Sequence, residues 1–259
     1  MKNIYKYMGL LIIAVFSFYY TDKIVLMVQS NNPIMQEINA SKNTKEVDYV
    51  NAIIEDDRII PGKNGLIINE EKSFSMMKSF GAFNAYYLVY DQKRPMISLE
   101  DNKDKIIHSG NLKDKNISII IEYNENLINY LESNNIKANV LIDKDNYINI
   151  KKLEMINNDF DKYNEVELIL NRNEENNNIC YVNENNLDFC KKRNKYLVDT
   201  ELILSNDNIY EIKNNIKNGS IVLIKKDTNV DTLKILLNHA KFKGLNIVYL
   251  SNLISEENS

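Results

Sequence analysis

From Asn116 to the C-terminus, short apolar runs alternate with amphipathic stretches of helical length. This alternation constrains the fold most, because strands separated by helices pair in parallel and form an open sheet or a barrel. Ile117–Ile121 is a nearly continuous apolar run, as expected of a strand buried on both faces. A helix through Leu127, Tyr130 and Leu131 closes at Asn134-Asn135. Ala138–Ile142, Val166–Leu170 and Ile179–Val182 are read as the next three strands. Leu187–Arg193 and Ile209–Ile216 are expected helices, with Tyr196-Leu197-Val198 between them and Gly219 after the second. Ser220–Ile224 and Asn246–Leu250 are the last expected strands.

The clearest helix runs from about Asn229 to Lys243. Asp227, Thr228 or Asn229 can cap it, and Val230, Leu233, Leu236, Leu237 and Ala240 make one apolar face. Lys241 and Lys243 suit the negative end of its dipole, and Gly244 supplies the left-handed residue that ends it.

Residues 48–115 read as a small α+β appendage. Pro61-Gly62-Lys63-Asn64-Gly65 is a strong turn, Leu66–Asn69 a short strand and Tyr86–Tyr90 another. Between these strands a helix starts at Asn69 or Glu70 and ends at Gly81, with Met76, Met77 and Phe80 as a core stripe. Residues 23–47 read as a stalk, with Asn39–Val47 a polar linker.

Residues 1–22 are read as a membrane anchor. Lys2 and Lys6 precede an uncharged apolar run, Met8–Tyr20. Counted back to Ile4 with Lys6 snorkelling, it is long enough for a thin or tilted crossing. Tyr5, Tyr7, Tyr19 and Tyr20 sit at its two ends, where aromatic rings favour the interface. The positive flank places the N-terminus in the cytoplasm and the bulk of the chain outside. A cleaved signal peptide is the alternative, although no small-x-small site follows the run.

A net charge of -4 and no basic stretch give no support for binding phosphate, so nucleic acid is not an expected partner. With 44% hydrophobic residues the chain can bury a core. Cys180 and Cys190 are read as unpaired, partly buried thiols, with a disulfide across their short loop as the alternative.

Gly219–Ile224, the helix after it and Lys243–Ile254 resemble the C-terminal end of the NodB-homology polysaccharide deacetylases, the carbohydrate esterase 4 type. Ile136–Asp143 is similar to that family's second strand and Ile117–Ile121 to its first. The likeness covers residues 116–259 and implies a distorted parallel (β/α) barrel with a groove for acylated amino-sugar polymers. The expected fold class is therefore α/β, with this barrel preceded by a transmembrane helix and the small α+β appendage.

The resemblance also implies a chemistry that these residues do not supply. Family members hydrolyse an N-acetyl group with a metal held by one Asp and two His, a second Asp as base and a later His as acid. Where the first strand should end in Phe-Asp-Asp-Gly, this chain has Ile121-Glu122-Tyr123-Asn124, so Tyr123 stands at the metal ligand. The stretch Asn164–Asn173, matched to the His-x-x-x-His region, has no His. The strand from Gly219 runs into Lys225-Lys226 instead of His-Asp, and Cys180–Asn183 lacks the family's Arg-Pro-Pro. The chain's two histidines, His108 and His239, cannot build two ligands and an acid. A zinc site from Cys180, Cys190 and one His has no standard spacing.

No metal or other cofactor is therefore expected. The leading functional expectation is an inactive, membrane-anchored deacetylase-like protein of the cell envelope that binds glycan or an envelope protein. Tyr123 would stack on sugar. One alternative is an active deacetylase with Glu122 as base and Lys225 contacting the oxyanion; the plainer reading of Glu122 is a surface acid. Another is a non-catalytic scaffold in which the appendage binds the partner.

Overall fold

The computed structural model describes residues 7–9, 11–17, 19–20, 30–147, 150–172 and 178–258. In chain order its elements are α1 (Pro33–Lys45), β1 (Ile53–Glu55), β2 (Arg58–Ile60), β3 (Gly65–Ile68), α2 (Glu70–Lys78), β4 (Tyr90–Lys93), β5 (Ile106–Ile107), β6 (Asn116–Glu122), α3 (Glu125–Ser133), β7 (Asn139–Ile142), β8 (Glu154–Asn157), α4 (Tyr163–Arg172), β9 (Ile179–Tyr181), α5 (Leu187–Lys191), β10 (Tyr196–Val198), β11 (Leu202–Leu204), α6 (Ile209–Asn215), β12 (Ile221–Ile224), α7 (Val230–Phe242), β13 (Asn246–Ile247) and α8 (Leu250–Ile254). They form two compact units, residues 1–48 with 65–93 and residues 49–64 with 94–259.

In the smaller unit, Pro33 opens α1 behind Asn32, whose side chain accepts from Ile34 N. The expected stalk is thus in part a packed helix. Ile34, Met35 and Ile38 bury against Phe74 and Met77 of α2, with Ile68 and Leu88. Asn39–Val47 is not a linker, because α1 runs to Lys45 and Lys42 pairs with Glu70. β3 and β4 are antiparallel. Ala85–Tyr87 is a 3-10 turn capped by Asn84, so the second strand begins only at Tyr90. Of the expected core stripe only Met77 is buried; Met76 and Phe80 are exposed.

Met8–Tyr20 lies partly outside the described residues, as do Ile4 and Lys6. The described positions of that run are helical, with Leu11, Ile13 and Phe16 exposed. Among the described residues no helix is long and apolar enough to cross a membrane.

The larger unit is the expected α/β body, and it holds more of the chain than expected. β1, β2 and β5, read as part of the appendage, join β10 and β9 in one five-stranded sheet. All of its ladders are parallel except β1 with β2. The other sheet, in order β11-β12-β6-β7-β8, is parallel throughout, and β13 extends β6 at its start. β8 lies near β9, the edge strand of the other sheet.

Alternation along the strands sorts the core. Ile59, Ile107, Ile120, Leu141, Ile156 and Val198 fill the space between the sheets. Ile117, Ile119 and Ile121 face outward, where α3, α4 and α7 cover them with Leu127, Val166 and Leu233. β6 is therefore buried on both faces, as its unbroken apolar run requires. α8 adds Leu250, Leu253 and Ile254 to the interior. Asn139 holds α8 in place: its amide donates to Ser118 Oγ at 2.8 Å, and its carbonyl accepts from Leu250 N at 3.1 Å.

Val166–Leu170 is not a strand. It lies in α4, where Tyr163, Val166 and Leu170 recur at helical spacing and are buried while Leu168 points outward. The third strand is β8. Cys180 and Cys190 are not free thiols; they form a disulfide from β9 to α5, with Cα atoms 6.0 Å apart, among Ile106, Val182 and Leu197. Gly219 adopts φ 80°, and a Cβ there would meet Gly110 O at 2.5 Å. Ser220 Oγ accepts from Lys217 N at 2.9 Å, so the Gly-Ser strand entry is a packing requirement.

Candidate functional site

Sites on parallel barrels collect at the C-terminal ends of the strands. In this chain β6 ends in Glu122, and β12 runs directly into Lys225 and Lys226. Register pairs Ile121 with Ile224, so Glu122 and Lys225 are the next residues on adjacent strands. Lys225 Nζ donates to Glu122 Oε1 at 2.8 Å, and Lys226 N donates to Oε2 at 3.0 Å. Both carboxylate oxygens are thereby engaged.

Asn124 ties the two strand ends again. Its amide donates to Lys226 O at 2.6 Å, while its carbonyl caps α3 by accepting from Leu127 N. Tyr123, held between Glu122 and Asn124, packs its ring partly against the outer core.

Glu122, Tyr123, Lys225 and Lys226 line a cavity of about 710 Å³ whose other walls include Asp143, Asn146, Asn158 and Asp227. Its floor includes Leu141 and Ile142. Amides, carboxylates, lysines and a phenol around a small apolar floor match the chemistry of a hydroxyl- and amide-bearing ligand. Sequence reasoning missed Asp143, Asn146 and Asn158, which sit in the loops after β7 and β8 among many other surface Asn and Asp.

A divalent metal does not fit this donor set. Tyr123 replaces the implied carboxylate, and the segment after β8, residues 158–162, has no His. Among the described residues no group of three or more His, Cys, Asp or Glu is placed to hold a metal ion. Cys180 and Cys190 are consumed by their disulfide, which removes the cysteine zinc site as well. His239 lies on α7 with Nε2 3.0 Å from Lys213 O, so it meets the end of α6 instead of its own helix terminus. His108 follows β5 and lines a different cavity of about 640 Å³ with Thr200 and Glu201.

Two groups near the strand ends, Tyr181 buried and Asp199 partly buried, carry shifted protonation. Burial first, with the nearby Asp199 and Glu122 charges, pushes the Tyr181 phenol up to about 12. Burial also raises the Asp199 carboxyl, against the opposing pull of Arg58, whose Nη2 lies 3.3 Å away.

The wild-type BA3943 of Bacillus anthracis, a CE4 family pseudoenzyme, superposes with a TM-score of 0.58 at 16% identity, over 87% of this chain and 96% of that chain. The fold is that of the family 4 carbohydrate esterases. The uncharacterized protein YlxY of Bacillus subtilis (strain 168) is 31% identical over 128 residues, covering 46% of this chain. The match spans 40% of the length of YlxY. No family model matches the chain.

Proposed function

We propose that the cavity at the strand ends binds an N-acetylated cell-wall glycan without hydrolysing it. One observation carries this reading: the Glu122 carboxylate, the group best placed to act as base, is held at both oxygens by Lys225 Nζ and Lys226 N. A base must accept a proton at a free lone pair within hydrogen-bond reach of the reacting water. Lys225 Nζ and Lys226 N take one lone pair on each Glu122 oxygen and set a cation beside it, and Tyr123 occupies the position where the resemblance implies the ligand of the metal that would present that water. That BA3943, which shares this fold, is described as a pseudoenzyme supports the same reading.

Tyr123 would present its ring to a sugar face, with Asn146 and Asn158 meeting hydroxyl and acetamido groups. Titration calorimetry with N-acetylated muropeptides and chitin oligomers tests this. Tyr123→Ala should weaken binding by about 2- to 12-fold, the value of one stacking contact of about 0.5–1.5 kcal/mol. Unchanged affinity in that variant would remove Tyr123 from the site.

The same reading places the chain at the cell membrane, anchored through residues 8–20 with the bulk outside the cytoplasm. The positive flank of Lys2 and Lys6 supports this orientation. So does the Cys180–Cys190 disulfide, because such bonds persist in oxidising compartments. Protease accessibility of the barrel on intact cells tests it: protection of the barrel would contradict the orientation.

A further inference from the structure

The smaller unit carries an aromatic tip that its own core does not need. Phe80 is 62% exposed, Tyr86 96% and Met76 50%. They lie on the end of α2 and on the 3-10 turn that follows it, on either side of Gly81, which adopts φ 69° in open space. The tip is nonetheless firmly built. Phe80 stacks on Tyr87 with centroids 5.0 Å apart, and Tyr87 and Phe83 pack on the core of Met77 and Leu88.

The tip also lies in a stretch poor in charge. Residues 75–90 contain no acidic residue and a single cation, Lys78, in a chain with 36 Asp and Glu. An exposed apolar patch that excludes carboxylates suits an anionic or zwitterionic surface. Tyr is a side chain that partitions to the headgroup region, with its ring buried and its hydroxyl wet, and the Phe80 ring supplies apolar area beside it.

The tether restricts what this tip can meet. Tyr20, at the end of the apolar run, is ten Cα steps from Ser30, so the chain between them reaches at most about 35 Å whatever its conformation. If residues 8–20 span a bilayer, the smaller unit stays within a short distance of its surface. We infer that the Met76–Phe80–Tyr86 tip docks on the bilayer, giving the anchored chain a second membrane contact. This inference rests on the membrane anchor proposed above.

The chain has no Trp, so a single introduced Trp reports its own site without background. Full-length protein carrying Phe80→Trp is reconstituted in vesicles of phosphatidylethanolamine and phosphatidylglycerol. A matched control carries Leu168→Trp, on the 58% exposed outer position of α4. The expected result is a blue-shifted emission at position 80 that brominated lipid quenches, with position 168 unshifted and unquenched. If the protein floats with vesicles but the Trp at position 80 stays water-exposed, the tip inference is overturned and the anchor stands. Failure to float overturns both. If soluble muropeptides shift the Trp at position 80 while lipid does not, the patch is a glycan contact and the inference is wrong.

Discussion

Glu122 and Lys225, 103 residues apart in the chain, face each other at 2.8 Å across the ends of β6 and β12. The resemblance to the deacetylases implies a base at Glu122 and a His at Lys225. Because Glu122 also accepts from Lys226 N, its removal breaks two interactions. Its side chain is about one quarter exposed, which limits the loss. Glu122→Ala should destabilise the protein by about 1 kcal/mol in urea unfolding. A loss of several kcal/mol would mean that the pair is far more desolvated than described.

The Cys180–Cys190 bridge closes a loop of ten-residue separation between β9 and α5. Chain-entropy reasoning assigns such a loop about 2–3 kcal/mol. Reduction with dithiothreitol, or a double Cys→Ala variant, should lower the denaturation midpoint by a corresponding amount. Mass spectrometry showing free thiols in protein secreted under oxidising conditions would contradict the bridge.

Much of this architecture was legible in the sequence, and the parts that were not share a physical cause. β6 and α7 were readable because each has a strong pattern, an unbroken apolar run and a capped stripe ending at Gly244. Val166–Leu170 misled because a short apolar run with charged neighbours suits either a strand or a helix. Burial of Tyr163, Val166 and Leu170 together decides for the helix. β1, β2 and β5 are two or three residues each, and only pairing with β10, far along the chain, shows where they belong. The substituted motif at Glu122 and Tyr123 was visible at once, whereas the pairing of Glu122 with Lys225 needed the register of β6 and β12.

Near the C-terminus, Glu256 holds two loops. Its Oε1 accepts from Gly62 N at 2.9 Å and from Leu99 N at 3.0 Å, and its backbone carbonyl accepts from Asn64 N. Burial raises this carboxyl above the ordinary range despite those donors. A neutral acceptor should therefore serve nearly as well. Glu256→Gln should cost well under the loss for Glu256→Ala, which strands both N–H groups at about 1–3 kcal/mol. Equal losses for the two variants, by thermal or urea unfolding, would show that the charge itself matters.

Asp199 gives a signed pH dependence. Its carboxyl is raised in the folded state by burial, so folding takes up a proton just above the ordinary carboxylate value of about 4. Its contribution to stability is full below that value and declines as pH rises through the folded value. Asp199→Asn lacks this titration. The stability of the variant minus that of the natural protein should therefore increase with pH through that window, then level. A difference that is flat, or that falls with pH, would assign Asp199 an ordinary or lowered value.

The most direct test of the central claim is acetate release from N-acetylated peptidoglycan and chitin oligomers by the full chain, with added zinc, cobalt or neither. With Glu122 paired to Lys225 and no group of metal donors among the described residues, the account predicts no release under any of the three conditions from protein shown to be folded. Metal-dependent release that disappears in Glu122→Gln would contradict it and show that the strand ends form a rebuilt active site.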